Sequence, residues 1–193
     1  PRSWSEVYGK PMRQHILQSA CLSAALMFCA CRPPERQSTI DPQLIQAINR
    51  GVSLMGQYDY DSAVKAFEEA LASDPNLLET KANLAVALFN RGRKEDQDLD
   101  RAGKLLDEVL VKDPSHLRAL YFKGIILQHV GKAEKAITCF EKVVELKPDD
   151  GAAWYLLGLC KLRIGRSAEE DLLRAVQFKP HLYSAYYQLS QTA

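Results

Sequence analysis

The sequence predicts an all-α protein, a solenoid of stacked helix pairs, and three observations predict it. Apolar residues recur at helical spacing, with no convincing run of strand-like alternation. Four prolines, Pro75, Pro114, Pro148 and Pro180, follow one another at intervals of 39, 34 and 32 positions, each closing a segment of similar pattern. Twelve positions before each stands an alanine (Ala63, Ala102, Ala136, Ala168), and eight before stands a large apolar residue (Phe67, Leu106, Phe140, Leu172). A small residue where two helices cross lets their backbones approach, and the large one a turn on fills the space beside it. One such unit leaves helix faces uncovered and asks for neighbours of its own kind. Composition agrees: 193 residues with 47% hydrophobic and 25% charged have the proportions of a soluble globular chain.

Taken in order, residues 1–11 have no initiator Met and no periodicity, and read as an upstream extension without ordered structure. Residues 12–30 read as a signal peptide. Met12 to His15 form a short basic start, and Ile16 to Ala30 are an uncharged, largely apolar stretch, shorter than the ~20 residues that span a bilayer. The junction Phe28-Cys29-Ala30-Cys31 resembles the lipobox of bacterial lipoproteins, which implies that Cys31 becomes the lipidated first residue. Phe28 and Cys29 depart from the family's Leu and small residue, and an ordinary cleaved signal or an uncleaved anchor are the alternatives. Residues 31–41 are polar with two prolines, as suits a tether between a membrane and a domain. The expected location is the bacterial cell envelope, facing the periplasm, with a secreted or cytoplasmic chain as alternatives.

Without residues 1–30 the chain keeps 22 basic and 23 acidic residues, a near-neutral balance with no basic stripe, which argues against nucleic acid as a partner. Cys139 and Cys160 then remain within helical patterns among apolar neighbours, the usual place of a small buried thiol. A disulfide between them is open in an oxidising compartment.

Residues 42–193 carry the helices. Asp41-Pro42 is an N-cap followed by proline at the first helical position, and opens a helix to about Met55. Its partner runs from about Asp61 to Ser73. The second pair starts at about Leu77 and is five residues too long; Arg91 to Asp100 carries the excess and is expected as a protruding loop. Asp96, Asp98 and Asp100 alternate there as in a calcium loop, but Arg101 stands where the loop needs Gly and Asp107 where it needs Glu, so they read as acidic residues entering a helix. The third pair runs regularly from Ser115 as N-cap to Pro148. The fourth begins at Asp150-Gly151 and is short by two in its turn, where Ser167 and Glu170 form a capping-box pattern. His181 to Ala193 is one further first helix whose Tyr183, Tyr186, Tyr187 and Leu189 leave apolar surface, so residues 183–193 are expected to be partly exposed or frayed.

Gly51, Ala85, Gly124 and Gly158 fall at one small-residue position of the first helices, and Trp154 and Tyr186 at one aromatic position. With the alanine, phenylalanine and proline register, these residues resemble the tetratricopeptide repeat family, whose 34-residue helix-turn-helix unit carries that pattern. The resemblance runs from Leu44 to the C-terminus. It implies a right-handed superhelical solenoid of about four and a half repeats, near 44–77, 78–116, 117–150 and 151–182, with a partial one over 183–193. It also implies that ligand-facing positions lie on the first helices. By register these are Ile48, Asn49, Val52 and Met55, then Ala82, Asn83, Val86 and Phe89. The third repeat gives Arg118, Tyr121, Phe122, Ile125 and His129, and the fourth gives Tyr155, Leu159 and Arg163. About half of them are expected to be core between neighbouring helices. The family's clamp for a chaperone C-terminal carboxylate is matched at Asn83 and Arg118 only, with Ile48, Val52 and Phe122 replacing its other members, so chaperone-tail binding is not expected.

The sequence holds no Gly-rich phosphate loop, HExxH, CxxC or GxSxG, and His116, His129 and His181 are scattered. No catalytic residue, cofactor site or metal site is therefore assigned. The expected role is a non-catalytic scaffold that takes a peptide or partner protein in the concave groove, anchored to the membrane through Cys31. The alternative is the N-terminal module of a longer envelope enzyme or receptor continuing past Ala193, and a glycan or lipid ligand also stays open.

Overall fold

The computed structural model describes residues 41–91 and 96–192. The expected extension, signal peptide and lipidated Cys31, and nearly all of the expected tether, lie outside the described residues. Among the described residues nine helices follow one another, within the compact unit Ile40–Ala193. They are α1 (Pro42–Gly56), α2 (Tyr60–Ser73), α3 (Leu78–Arg91), α4 (Asp96–Lys112), α5 (Leu117–His129), α6 (Ala133–Leu146), α7 (Gly151–Arg163), α8 (Glu169–Phe178) and α9 (Tyr183–Thr192). Among the described residues there is no strand.

Helix starts follow from local chemistry. The Asp41 carboxylate accepts from the Gln43 amide at 2.9 Å, Asp59 from Ser62 at 3.1 Å, and Asp150 from both Ala152 and Ala153 at 3.1 Å. Each satisfies donors that the first helical turn leaves over. Two expected caps are corrected. At α5 the cap is His116, whose Nδ1 accepts from the Ala119 amide at 3.3 Å, because Ser115 is held back by the Asp113 carboxylate. At α8 no capping box forms: the helix starts after Ala168, which has no side-chain acceptor and is 2% exposed. The expected shortening of the turn is corrected as well: the shortage falls on the helix, which has 10 residues against 14 for α6, and the buried alanine itself takes the cap position.

The largest correction concerns the excess of the second pair. It does not all protrude. From Asp96 onward it is helix, so that α4 has 17 residues against 14 for α2 and α6. The added turn is held by Asp98, whose two carboxylate oxygens accept from Nε and Nη2 of Arg91, both at 2.7 Å. Arg91 also lies 3.7 Å from Asp61 on α2, and Arg101 pairs with Glu68 at 2.6 Å. Asp98 and Leu99 are buried. Asp96, Asp98 and Asp100 thus lie within the helix, and Asp98 holds its start by charge-assisted bonds.

Packing within each pair follows the small-against-large register. Phe67, Leu106, Phe140 and Leu172 are all wholly buried, as are Ala63, Ala102 and Ala136. A Cβ added at Gly51 would come within 2.6 Å of Phe67, and one at Gly124 within 2.7 Å of Phe140. The rings of the second helices therefore occupy the space that the missing side chains leave. Each such ring contributes about 1.5–3 kcal/mol by burial. Turns within pairs use a left-handed residue: Gly131 (φ 79°), Gly165 (φ 72°) and, in the first pair, Tyr58 (φ 62°).

Besides packing on their own partners, α1 and α3, α3 and α5, and α5 and α7 touch one another, whereas the second helices do not meet to the same extent. The row of first helices is thus the tighter, inner side of the stack. At the far end α9 packs on α8, with Ala185 in one cluster with Ala168, Leu172 and Ala175, and Tyr183, Tyr186 and Tyr187 are exposed. Cys139 and Cys160 are both free thiols, half-buried and buried.

Candidate functional site

The inner side is built by α1, α3, α5 and α7, and its openness varies along the row. On α1, Asn49 and Val52 are exposed and Ile48 and Met55 half-buried. On α3 the four expected positions are core: Ala82 is wholly buried, and Asn83, Val86 and Phe89 are 8%, 5% and 7% exposed. This helix is flanked by α1 and α5 as well as by α2 and α4, which closes its inner face. On α5, Arg118 and His129 are exposed while Tyr121, Phe122 and Ile125 are half-buried. On α7, Tyr155 and Leu159 are half-buried and Arg163 exposed; Tyr155 packs toward the cluster of Ala168 and Leu172.

Polar groups of the row bind each other across helices. Nη1 of Arg118 donates to Oδ1 of Asn83 at 2.6 Å, and its Nε lies 3.6 Å from Glu79, which is also 3.9 Å from Nε2 of His116. Nη1 of Arg163 donates to the carbonyl of Gln128 at 2.9 Å. The two residues that match the family's carboxylate clamp, Asn83 and Arg118, are therefore paired with one another. Aromatic rings fix the middle of the row edge to face: Tyr121 with Phe122 at 5.7 Å and with Phe140 at 6.0 Å, and Phe89 with His129 at 6.3 Å.

Three of the expected residues, Arg118, Tyr121 and Phe122, come together in one recess of about 340 Å³ with Glu79, Leu117 and Asp150. Its walls come from the N-terminal parts of α3 and α5 and the cap of α7, so three successive repeats make it. Burial pushes the Tyr121 phenol up from its ordinary pKa, and the nearby Asp150 carboxylate adds to this, so the hydroxyl stays protonated and can donate. The other expected residues do not line this recess. Glu79, Leu117 and Asp150 were not among them. Asp150 carried a signal only as a helix cap, and Glu79 and Leu117 carried none, because their place depends on how neighbouring repeats meet.

The family described as tetratricopeptide repeat matches residues 54–96 and 94–160. FK506-binding protein-like from Mus musculus is 33% identical over 96 residues, 50% of this chain and 26% of that protein. FK506-binding protein-like from Homo sapiens is 29% identical over 136 residues, 66% of this chain and 37% of that protein. The chain thus spans little more than a third of these relatives at most. Among solved structures, MamA 41-end from Desulfovibrio magneticus RS-1 superposes with a TM-score of 0.70 at 25% identity, covering 78% of this chain and 84% of that one.

Proposed function

Since the chain belongs to the tetratricopeptide repeat family, we propose that it is a non-catalytic scaffold that captures a peptide or protein partner on the inner row of helices. The observation that carries this is the recess of Glu79, Leu117, Arg118, Tyr121, Phe122 and Asp150. It combines two half-buried aromatic rings with charged groups already fixed by neighbours, so a partner meets a prearranged surface and little ordering cost is added on binding. The likeness to MamA supports the stacked arrangement of first helices on which this reading rests.

Site-specific photocrosslinking tests it. A photoreactive residue placed at Arg118 or Tyr155 should yield a discrete protein adduct in cells, while one at Glu141 on α6 should not. Adducts at Glu141 alone, or none at the two inner positions, would reject the inner-row assignment.

The membrane tether is part of the same proposal. Its support is the basic start, the short apolar stretch and Ala30-Cys31 in the sequence. Intact mass with membrane fractionation, on the full-length product in a Gram-negative host, tests it. A membrane-bound species beginning at an acylated Cys31 is expected, and an unmodified soluble species retaining Met12 would remove the envelope from the proposal.

A further inference from the structure

A second recess, of about 520 Å³, lies on the outer row and is lined by Lys81 of α3 and by Lys104, Asp107, Glu108, Val111 and Lys112 of α4. Both of its carboxylates are already answered. Lys81 pairs with Glu108, and Lys123 of α5 reaches Asp107 at 2.7 Å while donating to the Gly103 carbonyl at 3.2 Å. The side chains of Lys81 and Lys123 are mostly covered, 15% and 17% exposed. Lys112 donates to the uncharged Asn76 oxygen at 2.7 Å, and among the described residues no carboxylate pairs with it or with Lys104.

The recess therefore presents two exposed, uncompensated ammonium groups above two compensated carboxylates. Lys104 and Lys112 are eight positions apart on one helix, about 12 Å along its axis. Val111, one position before Lys112, is 83% exposed and offers an apolar contact at the rim.

We propose that this outer recess docks a short acidic segment of a partner protein, two carboxylates about 13 Å apart with an apolar side chain between them. In extended chain that distance is about four residues. Carboxylates so placed meet Lys104 and Lys112, and the apolar side chain meets Val111. A nucleic acid or an anionic lipid surface fits worse, because its closely spaced phosphates would press on Asp107 and Glu108 as well. The site is independent of the inner recess, so either can fail without the other.

The probe is a fluorescein-labelled peptide with the core Glu-Ala-Leu-Ala-Glu, titrated with the full chain at low salt and read by fluorescence anisotropy. Saturable binding is expected, weakened by added salt and weakened about tenfold or more by Lys104→Glu with Lys112→Glu. Lys104→Arg with Lys112→Arg should retain it. Helicity should be retained in both variants, and the urea midpoint of the charge-reversal variant should fall only slightly, through loss of the Lys112–Asn76 bond and an anion in the last turn of α4. No binding, equal binding of a peptide with Lys in place of Glu, or indifference to the charge reversal would overturn the proposal. So would binding of anionic vesicles or RNA but not of the peptide.

Discussion

The close approach within each helix pair makes glycine-to-alanine substitutions come out with different signs. A methyl at Gly124 would stand 2.7 Å from Cζ and 2.8 Å from Cε1 of Phe140, a wholly buried ring. Carbon atoms rest at about 3.5–4.0 Å, so the ring must retreat by nearly 1 Å into packed neighbours. Overpacking of that kind costs about 1–3 kcal/mol, against about 1 kcal/mol gained when alanine replaces glycine inside a helix. Those two figures leave a net loss of about 0–2 kcal/mol, and a retreat of nearly 1 Å by a wholly buried ring puts Gly124→Ala toward the upper end. Gly51→Ala should behave alike, its methyl standing 2.6 Å from Cε1 of Phe67. At Gly158 the nearest atoms are Cδ2 and Cγ of Leu172 at 3.1 and 3.2 Å, a branched end that can turn, so gain and cost about cancel. At Gly103 the nearest side-chain atom among the described residues is the Lys123 ammonium at 3.7 Å, an ordinary contact, and alanine keeps the helix gain. Urea unfolding followed by far-ultraviolet circular dichroism gives the midpoints. The expected order of stability is Gly103→Ala, then wild type and Gly158→Ala together, then Gly124→Ala. A Gly124→Ala protein as stable as wild type would refute the packing argument. So would a Phe140→Leu background in which Gly124→Ala costs as much as it does in wild type, because the smaller side chain should relieve the clash.

Three further outcomes follow from single residues. Tyr58→Gly should raise the melting temperature by a few degrees, since the left-handed backbone costs a side-chain-bearing residue about 1–2 kcal/mol and the 78% exposed ring gives up only its edge contact with Tyr60; an unchanged or lower melting temperature would count against that strain. Hydrogen bonds from Arg91 hold the Asp98 carboxyl below the usual carboxylate range, so the folded state binds this proton more weakly than the unfolded one. Its stabilisation is complete above the unfolded value of about 3.9 and is lost as pH falls through the folded value, so the advantage of wild type over Asp98→Asn should be flat near neutrality and shrink in acid. Urea midpoints of both proteins from neutral pH downward check this, and a gap that stays constant in acid would contradict it. Burial pushes both thiols up, Cys160 to about 11, and Cys160 is wholly covered while Cys139 is half-buried, so iodoacetamide at mildly alkaline pH should label Cys139 before Cys160, and Cys160 only as urea unfolds the helices; peptide mapping that finds Cys160 modified first would refute its placement.

The register of alanine, large apolar residue and proline was enough to place all four helix pairs, because it records packing inside one pair, where sequence neighbours are also neighbours in space. The inner surface was less legible for the same reason. Whether Asn83 or Arg118 faces a ligand depends on the distance between successive pairs, and no periodic signal carries that distance. Asn83 is covered because α5 approaches α3 closely enough for Arg118 to reach it at 2.6 Å. The capping motifs failed where a competing bond was not visible in the chain: Asp113 takes Ser115, and the burial of Ala168 sets the start of α8.

The irregular lengths of the second and fourth units can be accepted because of where they fall. The excess is mostly the added first turn of α4, and the deficit is the missing first turn of α8, which has 10 residues against 14 for α6. Both lie next to the C-terminal ends of the first helices that precede them. The recess of Glu79, Leu117, Arg118, Tyr121, Phe122 and Asp150 sits toward the opposite, N-terminal ends, where connections from second to first helices run. Each irregularity is absorbed locally, by the Arg91–Asp98 pairing in one case and by the buried cap at Ala168 in the other. The alanine and large-residue register on either side is undisturbed, with Leu106 and Leu172 as fully buried as Phe67 and Phe140. Unit length is thus uncoupled from the geometry of the recess, and insertions at that edge leave the proposed binding surface as it is.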